Sequence, residues 1–246
     1  MNWWGETLRF SGFLEHSWEK QPESWINSVT KNQPDIKNVN PRKNISHEEL
    51  EEGSKLLVIE TQPIRIDLIQ TVNIKAEIGE LDIPAFGYMQ DEIDNFIQYV
   101  KVLITNDYFP ELTRIAFGMI LLEPVSNRKE GYSKLNELLP FNIDIENSSD
   151  FFYQINRPRY IEQNGNQIKI NRLTKWSVIE LSSVIFQVKP TPKTVNLGQK
   201  FYAIRNELDV NTAIDYEGIF SITQIESITD ELISMAIEIS NKGDIP

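Results

Sequence analysis

The stretch Asp91 to Glu123 reads DEIDNFIQYVKVLITNDYFPELTRIAFGMILLE. Its first half places Ile93, Phe96, Ile97, Val100, Leu103 and Ile104 at helical spacing, so one face is apolar. Asp94, Asn95, Gln98, Lys101 and Thr105 fall on the other face. Asp91 is the expected N-cap, and Asn106, Tyr108 and Pro110 mark the exit. Leu112 to Glu123 then runs almost without charge through Ile115, Phe117, Met119 and Leu121, the pattern of a buried strand. The alternate positions hold the small residues Ala116 and Gly118, which would let the helix approach closely.

On the N-terminal side, Thr7 to Glu15 reads as a strand and Pro22 to Thr30 as a short helix with proline near its start. Gln33 to Asn44, rich in Asn, Pro and Lys, reads as a loop. Ser46-His47-Glu48-Glu49 has the S-x-x-E spacing of a capping box, which predicts a short helix to Gly53 with Glu48, Glu49, Glu51 and Glu52 on a solvated face. Leu56 to Thr61 and Ile64 to Val72 are strands, and Lys75 to Gln90 is a connection.

On the C-terminal side, Tyr132 to Leu139 reads as a short helix ended by Pro140. Phe151 to Ile161 and Gln167 to Gln187 flank Asn164-Gly165, the dipeptide that suits the two positive φ angles of a type I′ hairpin. Lys189-Pro190-Thr191-Pro192-Lys193 is a stiff linker or edge loop, Phe201 to Thr212 a strand, and Ser227 to Asn241 a closing helix. The expectation is an α+β fold with a mostly antiparallel sheet. Its first half follows the ferredoxin-like order β-α-β-β-α-β, extended by the long hairpin and the C-terminal helix. Residues 1–246 read as one domain, with possible substructure at 1–125 and 126–246. No internal repeat is visible in the sequence.

Composition narrows the function classes. The 246 residues are 40% hydrophobic and 24% charged, ordinary for a globular chain. There is no cysteine, so disulfides, thiolate nucleophiles and Cys-ligated zinc are excluded together. The N-terminus has neither a basic start nor an apolar run, and Ile115 to Leu122 is far short of the ~20 residues of a membrane helix. The expectation is a cytoplasmic protein with no membrane contact. Four of the five tryptophans, Trp3, Trp4, Trp18 and Trp25, lie near the N-terminus. They pack the first helix onto the sheet or form an exposed stacking surface.

The net charge is −12, which disfavours nucleic acid, but the charge is unevenly spread. Arg157 to Arg205 holds nine basic and two acidic residues, a net of +7; the remainder holds 15 and 34, a net of −19. A two-residue turn at Asn164-Gly165 would pair Ile161 with Ile168, Arg159 with Ile170, Arg157 with Arg172 and Tyr153 with Trp176. Residues two apart share a face, so Arg157, Arg159 and Arg172 would cluster unless a bulge at Pro158 shifts the register. Clustered guanidiniums suit carboxylate or phosphate. The cluster could pair with the chain's own acids or with an acidic protein partner. It could also take phosphate, nucleotide or nucleic acid, with Lys169 nearby and Tyr153, Tyr160 or Trp176 stacking.

No catalytic motif is found. The two histidines, His16 and His47, have no metal-ligand or triad spacing. Phosphate-loop patterns are absent. Asp67, Glu77, Glu80 and Asp82 could hold a hard cation such as magnesium, but carboxylates alone define no geometry. No cofactor or metal is therefore expected. Three stretches carry a resemblance in element order: the helix leading into Leu112-Thr113-Arg114-Ile115-Ala116-Phe117, the strand Glu207-Leu208-Asp209-Val210-Asn211, and the closing helix from Ser227. In these the chain resembles a sporadically distributed family of uncharacterised prokaryotic proteins. Where that family carries Arg-Tyr-x-Asn, this chain reads Gly118-Met119-Ile120-Leu121, and the family's opening proline-rich motif is missing. The resemblance implies no activity. The functional expectation is a non-enzymatic binding or assembly subunit of a prokaryotic multiprotein complex that docks a protein partner on the basic hairpin, a second copy of the chain among the candidates. The alternative is an enzyme or binder of a phosphate-containing ligand or nucleic acid through the arginine cluster.

Overall fold

The computed structural model describes residues 1–18, 20–73, 83–184 and 197–244. In chain order the elements are β1 (Trp4–Phe13), α1 (Trp25–Thr30), β2 (Ile36–Asn40), β3 (Ile45–Glu52), β4 (Lys55–Gln62), β5 (Arg65–Val72), β6 (Gly87–Tyr88), α2 (Met89–Ile104), β7 (Arg114–Val125), α3 (Arg128–Leu138), β8 (Phe152–Asn156), β9 (Arg159–Gln163), β10 (Asn166–Val184), β11 (Leu197–Thr212) and α4 (Ile222–Lys242). Among the described residues the strands make one eleven-stranded sheet in the order β2-β3-β4-β5-β1-β7-β11-β10-β8, with β6 on β1 and β9 on β10. Every pairing is antiparallel. The fold is α+β.

The topology contains a repetition that the sequence does not display. From β1 the chain runs helix α1, hairpin β4-β5 and helix α2, with β5 returning to pair with β1. From β7 it runs helix α3, hairpin β10-β11 and helix α4, with β11 returning to pair with β7. The two units meet where β1 pairs with β7, so the strand order reads the same outward from that seam. Each unit is widened at its outer edge, by β2-β3 on one side and by β8 and β9 on the other.

Strand alternation gives the sheet two unlike faces. Leu8, Phe10, Leu68, Ile59, Phe117, Met119, Val210 and Trp176 point to one side and are buried. Apolar side chains of all four helices join them in one hydrophobic cluster. In α2, Ile93, Phe96, Val100, Leu103 and Ile104 are buried, and the Phe96 ring lies 6.3 Å from that of Phe117. A lone helix of this length is marginal in water. Burying those five side chains contributes on the order of 10 kcal/mol, so packing on the strand holds it. The opposite face of the sheet carries no helix among the described residues.

Several expectations change. The helix starts at Met89 with Tyr88 as N-cap, so Asp91 sits in the first turn instead of capping it. Residues 45–52 form strand β3, not a capped helix, and part of the expected loop forms β2. The reason lies in pairing: β3 lies between β2 and β4, where the alternation of Ser46, Glu48 and Leu50 inward outweighs the local capping pattern. Glu48 is not solvated. It is buried, accepting the Ser24 hydroxyl at 2.7 Å and the Ile26 amide at 2.9 Å, and so caps α1 from a neighbouring strand. Trp3, Trp18 and Trp25 are core residues, with Trp18 and Trp25 stacked at 5.5 Å. Trp4 is half-buried against Tyr88. Ala116 and Gly118 face away from α2, so they admit no helix; Gly118 instead floors a groove on the other face. No described helix is long and apolar enough to cross a membrane. The proline-rich segment Lys189 to Lys193 lies outside the described residues.

Candidate functional site

The basic hairpin folds in the register its spacing predicts. Asn164 (φ 51°) and Gly165 (φ 79°) supply the two positive φ angles. Ile161 pairs with Ile168, Arg159 with Ile170 and Tyr153 with Trp176. The break at Pro158 leaves the register unshifted, because the Arg157 amide still donates to the Arg172 carbonyl at 3.2 Å. Arg157, Arg159 and Arg172 therefore do come together, on the helix side of the sheet.

Their charge is met from within the chain. The Arg157 guanidinium makes a two-pronged contact with Asp244, Nε to Oδ1 at 2.5 Å and Nη2 to Oδ2 at 2.9 Å. The Tyr153 hydroxyl donates to Asp244 Oδ2 at 2.6 Å, and Arg159 Nη1 to Glu238 Oε2 at 2.7 Å. Burial pushes the Asp244 carboxyl up, but hydrogen bonds from Arg157 and Tyr153 outweigh it and hold the group below the usual carboxylate range. Hydrogen bonds from Arg159 and Lys242 lower Glu238 likewise. Arg172 is 1% exposed, and burial first, then the neighbouring arginines, lower its pKa. Three further residues do not join a docking surface with these arginines. Trp176 is 0% exposed, its ring 6.2 Å from that of Trp3, so nothing external can stack on it. Tyr160 and Lys169 pair with each other and, by alternation, lie on the opposite face.

That opposite face also holds a set of residues that the sequence did not bring together. Two neighbouring rows run across the strands there. One is Arg9, Gly118, Asp209 and Leu173; the next is Thr7, Ile120, Glu207, Lys175 and Gln154. They line a groove of about 380 Å³ over β1, β7, β11, β10 and β8. Four inter-strand steps make it ~19 Å long. Gly118 is its floor: a Cβ there would lie 3.3 Å from the Leu208 carbonyl oxygen and 3.7 Å from Arg9 Nη2.

Most charges around the groove are matched. Lys175 reaches Glu207 at 3.2 Å, and Arg205 bridges Glu207 and Glu6. Two are not. Among the described residues Arg9 makes no hydrogen bond or ion pair, and Asp209 accepts only from the Asn211 amide, at 3.0 Å. They stand one strand either side of Gly118. Further along the same face Phe13 lies between two guanidiniums, 5.2 Å from Arg65 and 5.0 Å from Arg114. Arg65 is tied to Asp67 at 2.7 Å, and Arg114 donates to Asn211 at 3.0 Å.

Of the remaining titratable candidates, His47 and Asp67 are held in structural contacts. His47 has both ring nitrogens engaged, Nδ1 with Glu60 and Nε2 with Glu49, each at 2.7 Å. His16 is exposed on the loop after β1. Asp67 is buried against Ser11 and Arg65, while Glu77, Glu80 and Asp82 lie outside the described residues. The groove was missed because each strand shows only an alternating polar position. Which of those positions lie side by side depends on the order β1-β7-β11-β10. Comparison of the chain with family models and with curated proteins found no match.

Proposed function

We propose that this chain is a non-enzymatic binding protein, an assembly subunit whose partner docks on the helix-free face of the sheet. The observation that carries this reading is the groove across β1, β7, β11, β10 and β8, which holds an arginine with no ionic partner among the described residues. Its size falls within the range of ordinary ligand sites. On the helix side Asp244 and Glu238 already pair with Arg157 and Arg159, which leaves these arginines less open to a partner. The occupant of the groove is a segment of a partner protein that presents a carboxylate to Arg9, as an arginine fork favours. The strand order β4-β5-β1-β7, with α1 and α2 in contact on one side, supports a ferredoxin-like reading of residues 1–125 in which β2-β3 is an insertion.

The test is site-specific photo-crosslinking in the native cells, with the crosslinking residue at Ile120 or Leu173 in the groove and at Arg159 on the helix side. One partner band should form at both groove positions and be missing at Arg159. A band at Arg159 alone, or at none of the three, overturns the reading.

A further inference from the structure

The groove constrains what enters it. Among the described residues its two unpaired charges are of opposite sign and flank Gly118 on one row: Arg9 on β1 and Asp209 on β11. Two inter-strand steps separate their backbones by ~9.6 Å. The nearby Lys175, Glu207, Arg205 and Glu6 are already paired with one another, so they offer less to a newcomer. An extended peptide places side chains i and i+2 on one side, ~6.7 Å apart. Arg9 reaches over the Gly118 floor, its Nη2 3.7 Å from where a Cβ of Gly118 would stand, so its charge lies inside that backbone spacing. The walls beside them, Ile120 and Leu173, suit the aliphatic stems of such side chains.

We infer that the groove takes an extended peptide segment carrying an acidic and a basic residue two positions apart, the acid on Arg9 and the base on Asp209. This rests on the reading of the helix-free face as the binding surface. Carboxylate and guanidinium meet in the planar fork that arginine favours. The basic residue answers Asp209, whose second oxygen is left open by Asn211.

The experiment titrates the full isotope-labelled chain with four capped tripeptides: acetyl-Glu-Ala-Lys-amide and its Gln-Ala-Lys, Glu-Ala-Gln and Gln-Ala-Gln relatives. Amide shifts of Gly118, Ile120 and Leu208 report on the groove. The Glu-Ala-Lys peptide should bind most tightly, and neutralising either end should weaken it about fivefold or more. Arg9→Gln should erase the difference between the Glu and Gln peptides. Asp209→Asn should erase the difference between the Lys and Gln peptides. If all four peptides shift the groove amides equally, the charge pairing is wrong while the face remains a binding surface. If none shifts them, the inference falls, and the crosslinking result stands or falls independently. Because the peptide series is read on the unaltered chain, a variant that fails to fold does not shield the inference.

Discussion

Individual residues show how far local chemistry is bent by neighbours. Burial alone would lower the pKa of His47, but hydrogen bonds to Glu49 and Glu60 and their charges raise it overall. A histidine with a raised folded pKa stabilises fully below its unfolded value of ~6.5, and that contribution fades as pH rises through the folded value. His47→Gln should therefore destabilise the chain near pH 6 and cost little near pH 9, as urea unfolding at both pH values would record. Equal losses at the two values would mean that the clamp contributes no charge. The glycines offer a second comparison. Gly243 and Gly165 both have positive φ, but a Cβ at Gly243 would lie 2.1 Å from the Leu138 carbonyl oxygen, whereas nothing lies within 4 Å at Gly165. Gly165→Ala should cost about 1 kcal/mol of backbone strain. Gly243→Ala should cost clearly more, since the chain must shift as well; equal thermal shifts would refute this. The turn glycine was readable from its dipeptide. The role of Gly243 was not, since α3 is distant in sequence.

Elements are tied together by contacts that no local pattern announces. The end of α4 is fastened to the hairpin through Asp244, whose side chain is 1% exposed and bound to Arg157 and Tyr153. Arg157 is 29% exposed, so losing Asp244 strands a partly solvated guanidinium, and a hydrogen bond to a charged group is worth about 2 kcal/mol. Asp244→Asn should lose about that much at pH 7 in urea unfolding. The folded pKa of Asp244 lies below its unfolded value, so its contribution is present above pH ~4 and disappears as pH falls through the folded pKa. The variant's deficit should accordingly shrink at low pH. The start of α1 depends on Glu48 from β3 in the same way. The S-x-x-E pattern at Ser46 read as a helix because its residues are good cap formers. The neighbouring strands β2 and β4 supplied pairing partners that a lone segment lacks.

At the scale of the whole molecule, the two strand-helix-hairpin-helix units share one continuous core and meet at β1 and β7. Cut apart, each would expose a central strand edge and apolar surface that the shared core now buries. Fragments 1–107 and 108–246, separated in the loop after α2, should unfold without cooperativity alone. Refolded together they should form a one-to-one complex with native-like circular dichroism. A fragment that melts cooperatively alone would show that the seam is a domain boundary.

The sequence by itself determined the α2-β7 core, the hairpin register and the clustering of Arg157, Arg159 and Arg172, because helical spacing, strand alternation and an Asn-Gly turn act over a few residues. Only the tertiary structure decided that α4 brings Glu238 and Asp244 to those arginines. It alone set Arg9, Gly118 and Asp209 in one row, and left that face of the sheet free of helices among the described residues. These outcomes depend on which strands lie side by side, and burial of one shared apolar face sets that order across the whole chain.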